Sequence, residues 1–113
     1  MSQLPSDLAC PSGLSPRGQK AWHVITCWLE ASDLTYTGGC KAFYSPQEWK
    51  ARGETYGRES ELVVVYDGGD LAAVMSNELG YGLRESLSTE LGAVAGVYFE
   101  DCTNWYAAIY PVE

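Results

Sequence analysis

One histidine and four cysteines are the residues of this sequence best suited to acid–base or nucleophilic chemistry. His23 is the only imidazole, so any mechanism that needs one has to use it. Cys40 follows two glycines that would let a substrate approach the backbone closely, which makes it the best placed thiolate nucleophile. A Cys40–His23 dyad is therefore one hypothesis, although nothing in the spacing brings the two side chains within hydrogen-bond reach.

Metal binding is a second chemical hypothesis. His23 and Cys27 are four residues apart in a helical pattern and could share a metal ion with Cys40 and Cys102. The short C-x-x-C pairs that are typical of structural zinc sites are missing, so we expect no zinc here.

Two aspartates at a predicted strand-to-helix turn form the other possible metal site. Asp67 and Asp70 flank two glycines, and their carboxylates could bind Mg²⁺ or Ca²⁺. The alternating oxygen ligands of an EF-hand are absent, which favours a turn in which Asp70 caps the following helix. We predict no cofactor.

The negative charge is concentrated in the second half of the chain. Residues 1–58 contain six bases and five acids, whereas residues 59–113 contain ten acids and one base, Arg84, and the net charge is −8. Such a surface repels nucleic-acid phosphates and attracts basic protein surfaces. We expect a basic protein partner and no direct nucleic-acid binding, although the same charge would also serve solubility alone.

The apolar runs of the sequence and residues 1–14 are used to predict the cellular location of the protein. No apolar run approaches the roughly 20 residues of a membrane span, and residues 1–14 lack the basic start and apolar core of a signal peptide. These features predict a cytoplasmic protein without membrane association. Cysteines stay reduced in that compartment, so we expect free thiols and no disulfide.

Two helix starts are well marked. Ser15-Pro16 predicts the first, because serine caps free N–H groups and proline at the first helical position loses no needed donor. The residues at helical spacing behind it predict an apolar stripe and an end near Asp33: Ala21, Val24, Ile25, Trp28 and Leu29. Ser45-Pro46-Gln47-Glu48 is a capping box that predicts a short helix over residues 46–52.

The strands are predicted from composition. Residues 62–66 form an apolar, β-branched run without a polar face, which predicts a central strand with Val64 fully buried. Residues 35–44 suggest a strand interrupted by a bend at Gly38-Gly39. Between the central strand and the end of the chain we expect a helix broken near residues 80–82 and then a hairpin of strands 94–100 and 105–110.

The hairpin is also the predicted partner site. Pairing residue 100 with residue 105 would put Ala95, Val97, Phe99, Tyr106, Ala108 and Tyr110 on one face, and Val94, Gly96, Tyr98, Glu100, Trp105, Ala107 and Ile109 on the other. Neither face is predominantly polar, so the hairpin is either covered on both sides or presents an aromatic face to a partner. We expect Trp105, Tyr98 and Tyr106 to be anchors, with Glu100 and Asp101 as a charged rim.

The chain length and element order predict one α+β domain after an irregular lead-in over residues 1–14. The expected architecture is a two-layer sandwich, with a mostly antiparallel sheet of three or four strands and helices mainly on one face. The favoured function is a non-catalytic binding or inhibitory module for a basic protein surface. A cationic small-molecule binding domain and a small cysteine-dependent enzyme are the alternatives, and a homo-oligomer is compatible with each.

Overall fold

The computed structural model describes residues 5–54, 59–66, 68–103 and 105–112, and the side chain of Tyr81 is outside this description. A short 3₁₀ turn, Ser6–Leu8, precedes the main elements. These are α1 (Pro16–Ala31), β1 (Phe43–Tyr44), α2 (Pro46–Ala51), β2 (Leu62–Val65), α3 (Gly69–Met75), α4 (Tyr81–Glu90), a π-helical turn (Leu91–Ala95), β3 (Val97–Asp101) and β4 (Tyr106–Pro111). The predicted α+β class is confirmed.

Both marked helix starts form as predicted. The Ser15 hydroxyl accepts a hydrogen bond from the backbone N–H of Gly18, and Pro16 occupies the first helical position of α1. In α2 the Ser45 hydroxyl accepts from the N–H of Glu48, while the Glu48 carboxylate accepts from the N–H of Ser45. The two bonds satisfy N–H groups that a helix end otherwise leaves free.

The sheet has the order β1-β2-β4-β3, and each neighbouring pair is antiparallel. β2 is central, with β1 on one side and β4 on the other. All four of its residues are buried, and Val64 is 0% exposed, as the apolar run predicts. A strand without a polar face is stable only where both faces are covered.

The long strand expected over residues 35–44 is reduced to Phe43–Tyr44. Gly38 and Gly39 adopt φ values of +66° and +82°, which end extended structure in this segment. The loop instead contacts the start of α3, where the Asp70 N–H donates to the Tyr36 carbonyl at 2.7 Å. The backbone of Thr37 lies so close to Gly69 that a β-carbon there would clash with it.

The predicted break in the second helical region is present, just before the expected position. α3 ends at Met75, Asn77 takes a left-handed φ of 63°, and α4 starts at Tyr81. α4 passes directly into the π-helical turn, which Gly96 ends with φ 64°. A left-handed residue at a helix C-terminus is the usual place for glycine.

The hairpin forms, but the predicted register is wrong. Glu100 pairs with Ala108 and Val97 with Pro111, a shift of three residues from the expected pairing of 100 with 105. An odd shift exchanges the faces of one strand relative to the other. Val97, Ala107 and Ile109 therefore belong to one core cluster, whereas Tyr106 belongs to another.

The helices cover the two faces of the sheet unequally. α1, α3, α4 and the π-helical turn pack on the face that carries Leu62, Val64 and Ile109. The opposite face has the short α2, whose Trp49 packs on Val63 and Val65. This is the predicted arrangement of helices mainly on one face. None of the helices in the described ranges combines the length and apolar character that a bilayer crossing requires.

Candidate functional site: an acidic, aromatic sheet face

An aromatic cluster, defined here as Tyr44, Trp49, Trp105 and Tyr106, lies on the face opposite the main helical layer. Trp49 and Tyr106 meet edge to face with ring centroids 4.8 Å apart, and Trp105 meets Tyr106 at 4.5 Å. Trp49 is 0% and Tyr106 is 3% exposed. The expectation that Tyr106 is a surface anchor is thus corrected: its ring is core. Trp105 is partly buried against the same cluster.

A second pair of aromatic rings lies beyond this cluster and reaches solvent. Tyr98 on β3 and Tyr110 on β4 are register partners, and their ring centroids are 6.2 Å apart. Tyr98 is 44% exposed, so of the three predicted anchors it is the most accessible. Together with neighbouring side chains the pair lines an open depression of about 650 Å³, called here the tyrosine hollow: Glu59, Tyr98, Tyr110, Pro111 and Val112.

Sequence reasoning missed Tyr110 and Glu59 as site residues. Tyr110 falls in the predicted strand, but the wrong register assigns it to the face opposite Tyr98. Glu59 precedes β2 and reaches the hollow only because β2 pairs with β4. A correct register would have found the tyrosine pair.

The acidic side chains of the hairpin divide into two kinds. Asp101 receives two hydrogen bonds from Arg84 Nη2, at 2.8 and 2.7 Å, and one from the Tyr66 hydroxyl at 3.3 Å. Arg84 also donates through Nη1 to the Met75 carbonyl at 2.9 Å. Asp101 therefore links the hairpin tip to the helical layer. It is not the free rim charge that the sequence suggests.

Glu100 and Glu59 are the unpaired acids of this face. Within the described ranges neither carboxylate forms a hydrogen bond or an ion pair, and both residues are exposed. Burial raises the pKa of the Tyr110 hydroxyl, and Cys102 and the carboxylates of Glu100 and Glu59 add to the increase. The electrostatic field at the tyrosine hollow is therefore negative and favours a cation.

The basic side chains of the same face are concentrated at α2 and already have partners. Lys41 Nζ lies 4.5 Å from the ring centroid of Tyr44 and 3.2 Å from Glu48. The Arg52 guanidinium lies over the rings of Trp49 and Tyr44, at 4.7 and 5.1 Å. In the described residues, Lys41 and Arg52 at the α2 end of this face have partners, whereas Glu100 and Glu59 have none.

In the described part of the chain β4 is the only sheet neighbour of β3, so β3 is an edge strand there. Backbone N–H and C=O groups on the outer side of such a strand are free to pair with another extended chain. Tyr98 and Glu100, on alternate positions, project to the face of the tyrosine hollow. The site therefore combines an open strand edge with aromatic rings and negative charge.

The predicted catalytic pair is not brought together. His23 lies on the exposed side of α1, where its Nε2 is 3.5 Å from Cys27 Sγ. Cys40 lies in the loop before β1, partly buried against the aromatic cluster, and its thiol contacts the Lys41 carbonyl at 3.6 Å. No hydrogen bond joins His23 to Cys40 in the described part of the chain.

The predicted metal sites have no support from the geometry. Asp67 lies outside the described residues, and Asp70 Oδ2 accepts a hydrogen bond from the Tyr36 N–H at 3.0 Å. Asp70 does not cap α3, which begins after Gly68 without a side-chain cap. Where the structure describes the chain, no three His, Cys, Asp or Glu side chains lie close enough to share an ion. The four cysteines are free thiols in this structure.

No family model, no curated protein and no solved structure matches the chain. The function has to be inferred from the geometry and charge of the sheet face itself.

Proposed function

We propose that this chain is a small, non-catalytic binding or inhibitory module that recognises a basic protein surface. One observation carries the proposal: the Tyr98–Tyr110 pair is close to Glu59 and Glu100, whose carboxylates have no partner in the described ranges. The proposed occupant is an extended basic segment of the partner, lying along the edge of β3. The proposed working compartment is the cytoplasm.

The chemistry of the face suits lysine and arginine side chains. An ammonium or guanidinium group is attracted to the face of a tyrosine ring and more strongly to a nearby carboxylate. Tyrosine combines a large contact area with few rotatable bonds, which keeps the entropy cost of binding low. Acidic residues around the aromatic pair would steer a basic partner and raise the association rate.

The strand edge adds a second source of affinity. A partner segment in extended conformation would hydrogen bond to the free side of β3, and its alternate side chains would face Tyr98 and Glu100. If that segment belongs to the partner's working surface, such as the nucleic-acid groove of an enzyme, covering it inhibits the partner.

Two alternative functions receive less support: a binding domain for a small cationic molecule and a cysteine-dependent enzyme. Pockets for small molecules enclose most of the ligand surface, whereas the tyrosine hollow is an open depression on one face of the sheet. A cavity near Cys40, between the loop and α1, measures about 10 Å³, which is room for roughly one water molecule. A cysteine-dependent enzyme built on Cys40 and His23 lacks the contact between them.

The proposal is tested with a short peptide that alternates lysine and valine and a matched peptide in which glutamate replaces lysine. Binding to isotope-labelled protein is followed by amide chemical shifts. We expect the lysine peptide alone to bind, and the shifts to concentrate in β3 and β4.

Tyr98→Ala should weaken this binding by at least about 2 kcal/mol, because it removes the exposed anchor. Glu100→Lys should mainly slow association. Tyr36→Ala is the matched control, since Tyr36 is 71% exposed and lies in the loop before β1. Equal binding of the two peptides, or equal weakening by Tyr98→Ala and Tyr36→Ala, would exclude this surface.

A further inference from the structure

We infer that Cys27 is a reactive thiol activated by His23, and that the groove beside them takes a low-molecular-weight disulfide carrying a cationic group. The site lies on the helical layer, on the opposite side of the sheet from the tyrosine hollow. It is independent of the proposed binding function.

His23 and Cys27 are neighbours because they are four residues apart in α1. Residues four apart lie on the same side of a helix, one turn from each other. The Cys27 Sγ is 3.5 Å from His23 Nε2 and 3.9 Å from Nδ1, and both residues are exposed. An imidazole at this distance can accept the thiol proton, and the thiolate is the reactive form of cysteine.

A groove of about 350 Å³ borders the pair and provides room for a reagent. Trp28 forms part of the α1 wall, and its indole N–H donates to the Ser86 hydroxyl of α4 at 3.2 Å. Glu90 and Val94 form the facing wall, at the point where α4 widens into the π-helical turn. Val94 is 46% exposed, so the groove has an apolar surface that solvent reaches.

The other three cysteines lack such a partner. Cys10 is also exposed, but its thiol contacts the Pro11 carbonyl, and partial burial raises the pKa of that thiol. Cys40 and Cys102 are half-buried and contact backbone carbonyls. A carbonyl oxygen cannot take a proton from a thiol, whereas imidazole can. Among the contacts of the described residues, Cys27 is therefore the thiol with an imidazole beside it.

The charged residues around His23 and Cys27 favour a cationic reagent. Glu90 faces Cys27 across the groove, while Lys20 lies one turn before His23 on α1 and Glu30 one turn after Cys27. A cationic reagent is attracted to the Glu90 carboxylate in the groove, whereas an anionic one is repelled.

The inferred reaction is thiol–disulfide exchange. Cys27 Sγ transfers its proton to His23 and attacks one sulfur of the reagent disulfide, forming a new S–S bond as the old one breaks. The departing thiolate takes the proton from His23. Cys27 is oxidised to a mixed disulfide, and half of the reagent is reduced to a free thiol.

Cystamine, a disulfide with two ammonium groups, is the probe. The folded, full-length protein is treated near neutral pH, quenched with acid and digested, and the mixed disulfide at each cysteine is quantified by mass spectrometry. We expect Cys27 to react about tenfold faster than Cys10. Dithiodipropionate, the anionic counterpart, should show a smaller preference for Cys27.

His23→Gln supplies the decisive comparison. It should slow Cys27 by about tenfold and leave Cys10 unchanged. Lys20→Gln is the control for a general charge effect, because it alters a neighbouring charge without removing the base. Equal rates at Cys27 and Cys10, or a Cys27 rate that His23→Gln leaves unchanged, would overturn the inference. Melting curves of both variants establish that they remain folded.

Discussion

The Tyr66 hydroxyl and the Asp101 carboxylate form a hydrogen bond at the boundary between the sheet and the helical layer. The Tyr66 ring is buried, and its hydroxyl donates to Asp101, which Arg84 also holds. Burial raises the pKa of Tyr66 far above its usual range, and the Asp101 carboxylate raises it further, while Arg84 opposes the shift. The neutral phenol is therefore part of the folded state.

The linkage between this shift and folding is testable with Tyr66→Phe. The pKa of Tyr66 is higher in the folded state than in the unfolded state. The neutral phenol therefore stabilises the folded state fully below the unfolded pKa of about 10, and this stabilisation is lost as the pH rises above that value. Near neutral pH the variant should be less stable by about 1 kcal/mol, the cost of the lost hydrogen bond. The difference should shrink as pH rises from about 10.

Urea unfolding of both proteins at fixed ionic strength measures this difference. A gap that stays constant from neutral to strongly alkaline pH would contradict the role assigned to the Tyr66 hydroxyl.

Single residues were predictable where local chemistry decides their place. Val64 is buried because it lies in an unbroken apolar run, and this follows from composition. The partners of Asp101 were not predictable, since Arg84 reaches it only through the packing of α4 against the hairpin tip. Likewise, His23 has Cys27 as its partner because of helical spacing, whereas no local rule bears on its distance from Cys40.

Among the elements, α2 depends most on its cap. It has six residues, too few for an isolated helix to be stable, and its Trp49 is the core of the aromatic cluster. The Ser45 N–H lowers the pKa of the Glu48 carboxyl, and Lys41 contributes to the same shift. The charged carboxylate is therefore stabilised by the folded helix end.

Ser45→Ala should lower the free energy of unfolding by about 1 kcal/mol, because the N–H of Glu48 loses its acceptor. Chemical denaturation monitored by tryptophan fluorescence measures it, since Trp49 lies in this helix. Ser76→Ala, an exposed position at the end of α3, is the matched control and should change stability by less than about 0.5 kcal/mol. Equal effects at the two positions would contradict the importance of the cap.

The elements themselves were largely predictable, and their lateral pairing was not. Ser15-Pro16 and Ser45-Pro46 mark helix starts by hydrogen-bond chemistry that is local in sequence. The register of β3 and β4 depends on the connection between Asp101 and Tyr106, whose composition is compatible with several loop lengths. The tyrosine hollow was missed for that reason.

At the scale of the whole molecule, the net charge of −8 is the dominant electrostatic fact. Like charges repel in the compact state, and salt screens that repulsion. The three ion pairs in the described ranges are partly exposed, and each contributes little to stability. Salt therefore stabilises the folded state more by screening the repulsion than it destabilises that state by screening the ion pairs.

The melting temperature should accordingly rise by roughly a few degrees between low salt and about 0.5 M sodium chloride. Calorimetry measures the change, and choline chloride in place of sodium chloride controls for a specific sodium site. A melting temperature that falls with either salt would mean that the ion pairs outweigh the repulsion.

The sheet order β1-β2-β4-β3 has a consequence for the growing chain on the ribosome. β4 completes the centre of the sheet, yet it is synthesised after every other element described. Until Tyr106–Pro111 emerges, β2 has an open edge, and its Leu-Val-Val-Val run is of the kind that pairs with copies of itself. The synthesis of residues 106–111 therefore ends the exposure of this edge, because β4 then pairs with β2.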